Sequence, residues 1–309
     1  MMTNPAKKRP TVPDVRTGRY APHERLVAPA RTRPELWRLL VGLAIVGVVG
    51  ILLNFLLFGL VAGLVSVEWA QNLLTGASPV ALLVLLASFG FITLGVSIAA
   101  RRLQHRTLSS ICGPWREGTW QFVRVFKALT VLGVVVAILP PYDMGATLTQ
   151  NLALSTWLLF LPFSLFAVLI QTSAEEVLFR GYIQQSLAAR FRSPIIWLGV
   201  PSILFAVGHY APGAAGDNAL LVAVWSGLFG FLAADLTARS GTLGPAIALH
   251  LFNNIVALLF ISLPDGLSGL ALYLLPYDMS DTGVLRQWLY VDFAVMIVSW
   301  LTARVALRR

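Results

Sequence analysis

Beyond residue 37 the chain is a succession of long apolar runs separated by short polar joints. Runs over 38–66, 80–99, 126–140, 152–172 or somewhat later, 195–211, 219–236, 242–262 and 287–305 stand out. A helix needs about 20 apolar residues to cross the hydrocarbon core of a bilayer, and each run approaches or exceeds that length except the third, which is short. The pattern predicts an all-α, polytopic membrane protein with about eight transmembrane helices. No internal repeat is visible, and no linker is long enough to separate two independent domains. Four regions are expected: a disordered, basic, proline-bearing cytoplasmic tail over 1–37, a first group of transmembrane helices over 38–150, a polar-studded core over 151–262, and an outer loop with the last transmembrane helix over 263–309. The amino-terminal residues do not resemble a secretory signal, because the first apolar run is too long for one.

Composition supports this reading. The 309 residues are 57% hydrophobic and 12% charged, about half the charged fraction of ordinary soluble domains. A net charge of +9 raises the possibility of a nucleic-acid partner, but the placement of the charges excludes it. The basic residues flank apolar runs and do not interleave with aromatics on a polar face. With the amino terminus in the cytoplasm, 22 of the 23 Lys and Arg fall in or beside the inner segments, Arg286 being the exception. Glu68, Asp143, Asp217, Asp265, Asp278 and Asp281 fall in the outer loops. Both termini are therefore expected inside. The single cysteine, Cys112, permits no intrachain disulfide.

Ionisable residues inside membrane helices are costly and mark functional sites. Here they are Glu175, Glu176, Arg180, His209 and His250, with Asn253 and Asn254 following; Asp235 and Asp292 lie near span ends, where water reaches. If the fourth helix starts late and runs on to Arg190, and the fifth returns from Ile195, Glu175 and His209 both lie roughly 21–23 Å from the turn between them. Arg180 then moves into the membrane and becomes a second exception to the charge count. His250 and Asn254, four apart, share a helix face. Glu176, Arg180 and Gln184 recur every four residues, a stripe suited to a wet cavity or to other protein, not to lipid.

The chemistry follows from these residue types. A carboxylate held away from bulk water suits a general base that takes a proton from water and returns it to a leaving group; Glu175 is the candidate. Arg180, four residues after Glu176, holds that carboxylate in place. His209 and His250 are able to ligate a metal or donate to an oxyanion, and the Asn254 amide is able to donate as well. Zinc is the metal considered, with His209 and His250 as its ligands; a glutamate is not readily both ligand and base. Read from spacing alone, a peptidase and a non-enzymatic transporter or scaffold stay open.

Three short motifs carry a family resemblance: "EEVLFR" from Glu175 to Arg180, "FAVGH" from Phe205 to His209, and "HLFNN" from His250 to Asn254. In this order and setting the chain resembles the CPBP intramembrane proteases (CAAX protease and bacteriocin-processing, also called Abi), which include the type II CAAX prenyl endopeptidases. The likeness covers about residues 150–262, making that region a protease core. It implies an intramembrane endopeptidase in which Glu175 activates water, Glu176 and Arg180 support it, and His209, His250 and Asn254 complete the site, with or without zinc. It also implies a membrane-associated protein or peptide substrate and a site open to the cytoplasm. The lipid bilayer is the other expected partner, and the cell's inner (plasma) membrane the expected location. There is no His-Glu-x-x-His zincin motif and no Gly-x-Ser-x-Gly elbow.

Overall fold

The computed structural model describes residues 18–139 and 147–309. Among the described residues eight principal helices follow in order: α1 (Leu36–Leu64), α2 (Pro79–Gln104), α3 (Trp115–Ile138), α4 (Leu154–Arg190), α5 (Pro194–Gly208), α6 (Pro212–Ser240), α7 (Gly244–Phe260) and α8 (Val284–Leu307). Six are long and apolar enough to cross a bilayer, and α5 and α7 are shorter apolar helices. The protein is an all-α integral membrane protein, as the runs of apolar residues predict. Its outward faces are themselves apolar, with Ile51, Phe55, Val131, Leu159 and Ile203 among the exposed side chains. Such faces suit a hydrocarbon surround.

α6 is the most enclosed helix and packs on α5, α7 and α8, while α7 also packs on α3 and α4. α4 is one continuous helix of 37 residues, roughly 55 Å long at the α-helical rise. It therefore begins where the early version of the fourth run does and continues through Glu175 to Arg190, as the late version requires. The turn of α6 into α7 is fixed by local chemistry. Gly241 takes the left-handed φ of +72° that closes α6, and Pro245 occupies the first turn of α7. Gln121 of α3 clamps the turn, donating to the Ser240 carbonyl at 3.3 Å and accepting from Thr242 Oγ1. At the opposite end Trp157 Nε1 donates to the Leu259 carbonyl at 2.7 Å, tying the start of α4 to the end of α7. A small sheet sits there too. β1 (Thr149–Gln150) pairs antiparallel with β3 (Tyr273–Leu274), which pairs parallel with β2 (Ile261–Ser262).

Two expectations are corrected. Residues 18–37 are not a disordered tail; the expectation for 1–17 lies outside the described residues. Short helical turns at Ala21–His23, Glu24–Val27 and Ala28–Thr32 form an arm whose Tyr20, His23, Leu26, Val27 and Ala30 are buried. Nor is Asp235 wetted. It is buried and accepts from Tyr20 Oη at 2.8 Å, from Arg239 Nε at 2.9 and 2.7 Å, and from Trp300 Nε1 at 3.1 Å. It thus joins the arm, α6 and α8.

Candidate active site

The site is built where α4 and α7 face one another. Glu175, Glu176 and Arg180 lie on successive turns of α4, and the helix is π-wound over Val177–Ile183. Short π segments recur at functional sites because the extra residue per turn re-aims the side chains around it. Glu175, Glu176, Arg180 and His250 are all buried. Taking four charged or titratable groups out of water is tolerable only if they compensate one another.

They do so in a defined order. Oε1 of Glu176 receives Arg180 Nη1 at 2.9 Å and His250 Nδ1 at 2.8 Å. With Nδ1 turned to Glu176, His250 presents Nε2 on the other side, 3.7 Å from Glu175 Oε2. Glu175 is itself held by Gln171, whose Nε2 donates to Glu175 Oε1 at 2.8 Å. Asn254 Nδ2 donates to Gln171 Oε1 at 2.8 Å, and Asn253 Nδ2 to Asn254 Oδ1 at 3.1 Å. One chain of contacts thus runs from Asn253 through Asn254, Gln171, Glu175, His250 and Glu176 to Arg180. Its direction fixes the Gln171 amide with its N–H toward the carboxylate. Glu175 Oε2 is buried with no hydrogen-bond partner among the described residues.

Aromatic rings wall the set. His250 stands edge-on to Phe229 at 5.0 Å and to Phe205 at 6.1 Å. The Arg180 guanidinium lies 4.8 Å from the Phe205 ring centroid. Gly230 of α6 leaves room at that point, since a Cβ there would stand 3.2 Å from Ser202 Cα and 3.5 Å from Arg180 Nη2.

Five of the six sequence-predicted residues, Glu175, Glu176, Arg180, His250 and Asn254, are thereby brought together. His209 is not. It sits at the exposed carboxyl end of α5, its Nδ1 2.8 Å from the Phe205 carbonyl and its ring 4.3 Å from the Phe205 ring. The Phe205 ring lies 4.3 Å from the ring of His209 and 6.1 Å from that of His250. Among the described residues no group of three or more His, Cys, Asp or Glu is placed to hold a metal. Zinc at His209 and His250 stays an expectation of the sequence, and no step below passes through a metal. Gln184, the end of the predicted stripe, donates to the Ala234 carbonyl at 3.1 Å and serves packing. Gln171 was missed. Its signal was its position, one turn before Glu175 on the same face.

Comparisons with known proteins bear on the same region. Residues 156–256 match the family model described as type II CAAX prenyl endopeptidase Rce1-like. All six predicted site residues lie within that match, so the family resemblance read from the three motifs holds for this segment. The uncharacterized protein YyaK of Bacillus subtilis (strain 168) is 27% identical over 186 residues, covering 57% of this chain and 59% of that protein. The match therefore spans less than two thirds of that relative's length. No solved structure matches the chain.

Proposed function

We propose that this protein is an intramembrane endopeptidase that hydrolyses a peptide bond of a membrane-associated protein or peptide, with Glu175 activating the attacking water. The observation that carries the reading is the division of labour at Glu175. One carboxylate oxygen is held by Gln171, and the other is left without a protein partner 3.7 Å from His250 Nε2. A water between Glu175 Oε2 and His250 Nε2 gives its proton to the carboxylate while its oxygen bonds to the scissile carbonyl carbon. The tetrahedral oxyanion accepts a hydrogen bond from the Asn254 side of the site, where the second Nδ2–H is free of Gln171. Glu175 then passes the proton to the departing nitrogen as the C–N bond breaks, leaving a carboxylic acid and an amine. Glu176 and Arg180 fix the His250 ring and its tautomer. His209, at the exposed end of α5, stands where an extended peptide approaches. The family match names prenylated CAAX substrates; for this chain the substrate class proposed is the broader one. The Lys and Arg distribution supports a topology with both termini in the cytoplasm, and we propose with it a plasma-membrane location and a site open to the cytoplasm.

The test compares membrane-proteome termini from cells expressing wild type or Glu175→Gln at equal levels. New peptide termini present only with wild type, and reproduced by purified protein, are expected. Removing the base should slow cleavage by at least about 10³-fold, and Glu176→Gln should cost less. Wild-type cleavage by Glu175→Gln would sink the proposal. Identical termini in both cells would point instead to a non-enzymatic transporter or scaffold.

A further inference from the structure

At the end of the bundle where α6 and α8 finish, a cavity of about 380 Å³ is lined by Arg19, Arg239, Arg308, Arg309 and the chain around Gly18–Pro22. Four guanidinium groups line it, and no carboxylate side chain does, among the described residues. The nearest organised acid, Asp235, is already engaged by Tyr20, Trp300 and Arg239.

The cavity has a built wall. Arg239 is buried, and its Nε reaches both oxygens of Asp235, at 2.9 and 2.7 Å. That single-nitrogen contact leaves the two terminal Nη groups turned away from the carboxylate. Tyr20, held through its own hydroxyl to Asp235, carries the Arg239 guanidinium 5.4 Å and the Arg19 guanidinium 5.0 Å from its ring centroid. Two like charges thus share one aromatic platform. Arg304 Nε donates to the main-chain carboxylate oxygen of Arg309 at 3.2 Å, folding the segment after α8 back over its last turn. Basic residues at span ends are ordinary orienting features. Gathering four of them around a concavity, on a scaffold of Tyr20 and Asp235, costs repulsion that a bound anion offsets.

We infer that this cavity binds the phosphate of an anionic phospholipid headgroup. Depth supports the lipid source. Arg239 is the penultimate residue of α6 and Arg308 directly follows α8, so the guanidinium groups lie at span ends, where headgroups lie. Guanidinium forks suit phosphate oxygens, and basic pockets beside transmembrane helices hold anionic headgroups. The site is independent of the peptidase reading.

The experiment uses the full chain in mild detergent, titrated with dioleoylphosphatidylglycerol or dioleoylphosphatidylcholine and followed by native mass spectrometry. A parallel titration adds inorganic phosphate at constant ionic strength. The variant Arg19→Gln/Arg308→Gln/Arg309→Gln leaves Arg239 and its Asp235 contact intact. The control, Arg101→Gln/Arg102→Gln/Arg192→Gln, removes the same charge from exposed residues elsewhere. A saturable phosphatidylglycerol adduct is expected, absent with phosphatidylcholine, weakened at least about tenfold in the first variant and less than about twofold in the control. Phosphate displacing the lipid at equal or lower concentration would keep the phosphate site and overturn the lipid assignment. Equal weakening in both variants, none in the first, or equal binding of phosphatidylcholine would overturn the site.

Discussion

Gln171 is the residue on which the geometry of Glu175 turns. It has no charge to mark it, yet it is buried, and its amide is read from both sides, by Asn254 and by Glu175. Hydrogen bonds to charged groups are worth about 1.5–3 kcal/mol. Gln171→Met, which keeps the volume and removes both contacts, should lower kcat about tenfold or more with KM little changed, measured on a peptide spanning the mapped cleavage site. Because part of the Asn254 effect reaches Glu175 through Gln171 and part reaches the oxyanion directly, adding Asn254→Ala to Gln171→Met should cost less than the two single losses combined but more than Gln171→Met alone. Additive losses would show that the two residues act separately. The positions of Glu175, His250 and Asn254 were legible because helical rise gives depth and i,i+4 spacing gives a shared face. Gln171 lay one turn before Glu175 on the same face but was hidden by its neutrality. His209 differs from the others in that rise fixes height along a helix but not the direction in which its last residue points; its hydrogen bond is to the Phe205 carbonyl and not to the set around Glu175.

The helices that carry the second and third motifs are the short ones. α5 has 15 residues and the α-helical part of α7 has 12, so their polar ends fall within the span of their long neighbours. The apolar runs predicted both helices, because run length depends on composition. What brings His250 to α4 is how closely α7 begins against α3, and composition does not show that. A Cβ on Gly244 would stand 2.1 Å from the Gly118 carbonyl oxygen, a contact with backbone that a rotamer change cannot relieve. Gly244→Ala should therefore push α7 away from α3 and cost about 1–3 kcal/mol of stability, with a loss of cleavage as His250 moves off Glu176. Gly50→Ala is the contrast: a Cβ there meets nothing within 4 Å. Thermal unfolding in detergent should separate the two variants, and equal midpoints would remove close helix approach as the explanation.

Across the whole molecule, the amino-terminal arm is the largest departure from what the sequence suggests. Its prolines and arginines resemble a solvated tail, but Tyr20, Leu26, Val27 and Ala30 supply enough apolar surface to dock it across α5, α6 and the loop after α2. Such docking is invisible to hydropathy because the buried residues are scattered among charges. Arg25 pairs with Glu117 and Arg31 with Glu24, so part of that charge is internally matched. His23 is the arm's titratable probe. It is buried with its ring 4.8 Å from that of Trp197. Burial, reinforced by the charge of Arg31, pushes its pKa down to about 3 from an ordinary 6.5. The docked arm thus holds His23 neutral, while an undocked arm takes up a proton once the pH drops below about 6.5. Stability from docking is complete above that pH and declines as pH falls toward 3, at up to about 1.4 kcal/mol per pH unit. His23→Leu keeps the arm apolar and removes the titration. Between pH 7.5 and 5 the unfolding midpoint of wild type should fall relative to that of His23→Leu, with the gap opening only below about pH 6.5. A gap that stays constant over this range would mean that His23 reaches water in the folded protein and that the arm is held by Asp235 and its partners alone.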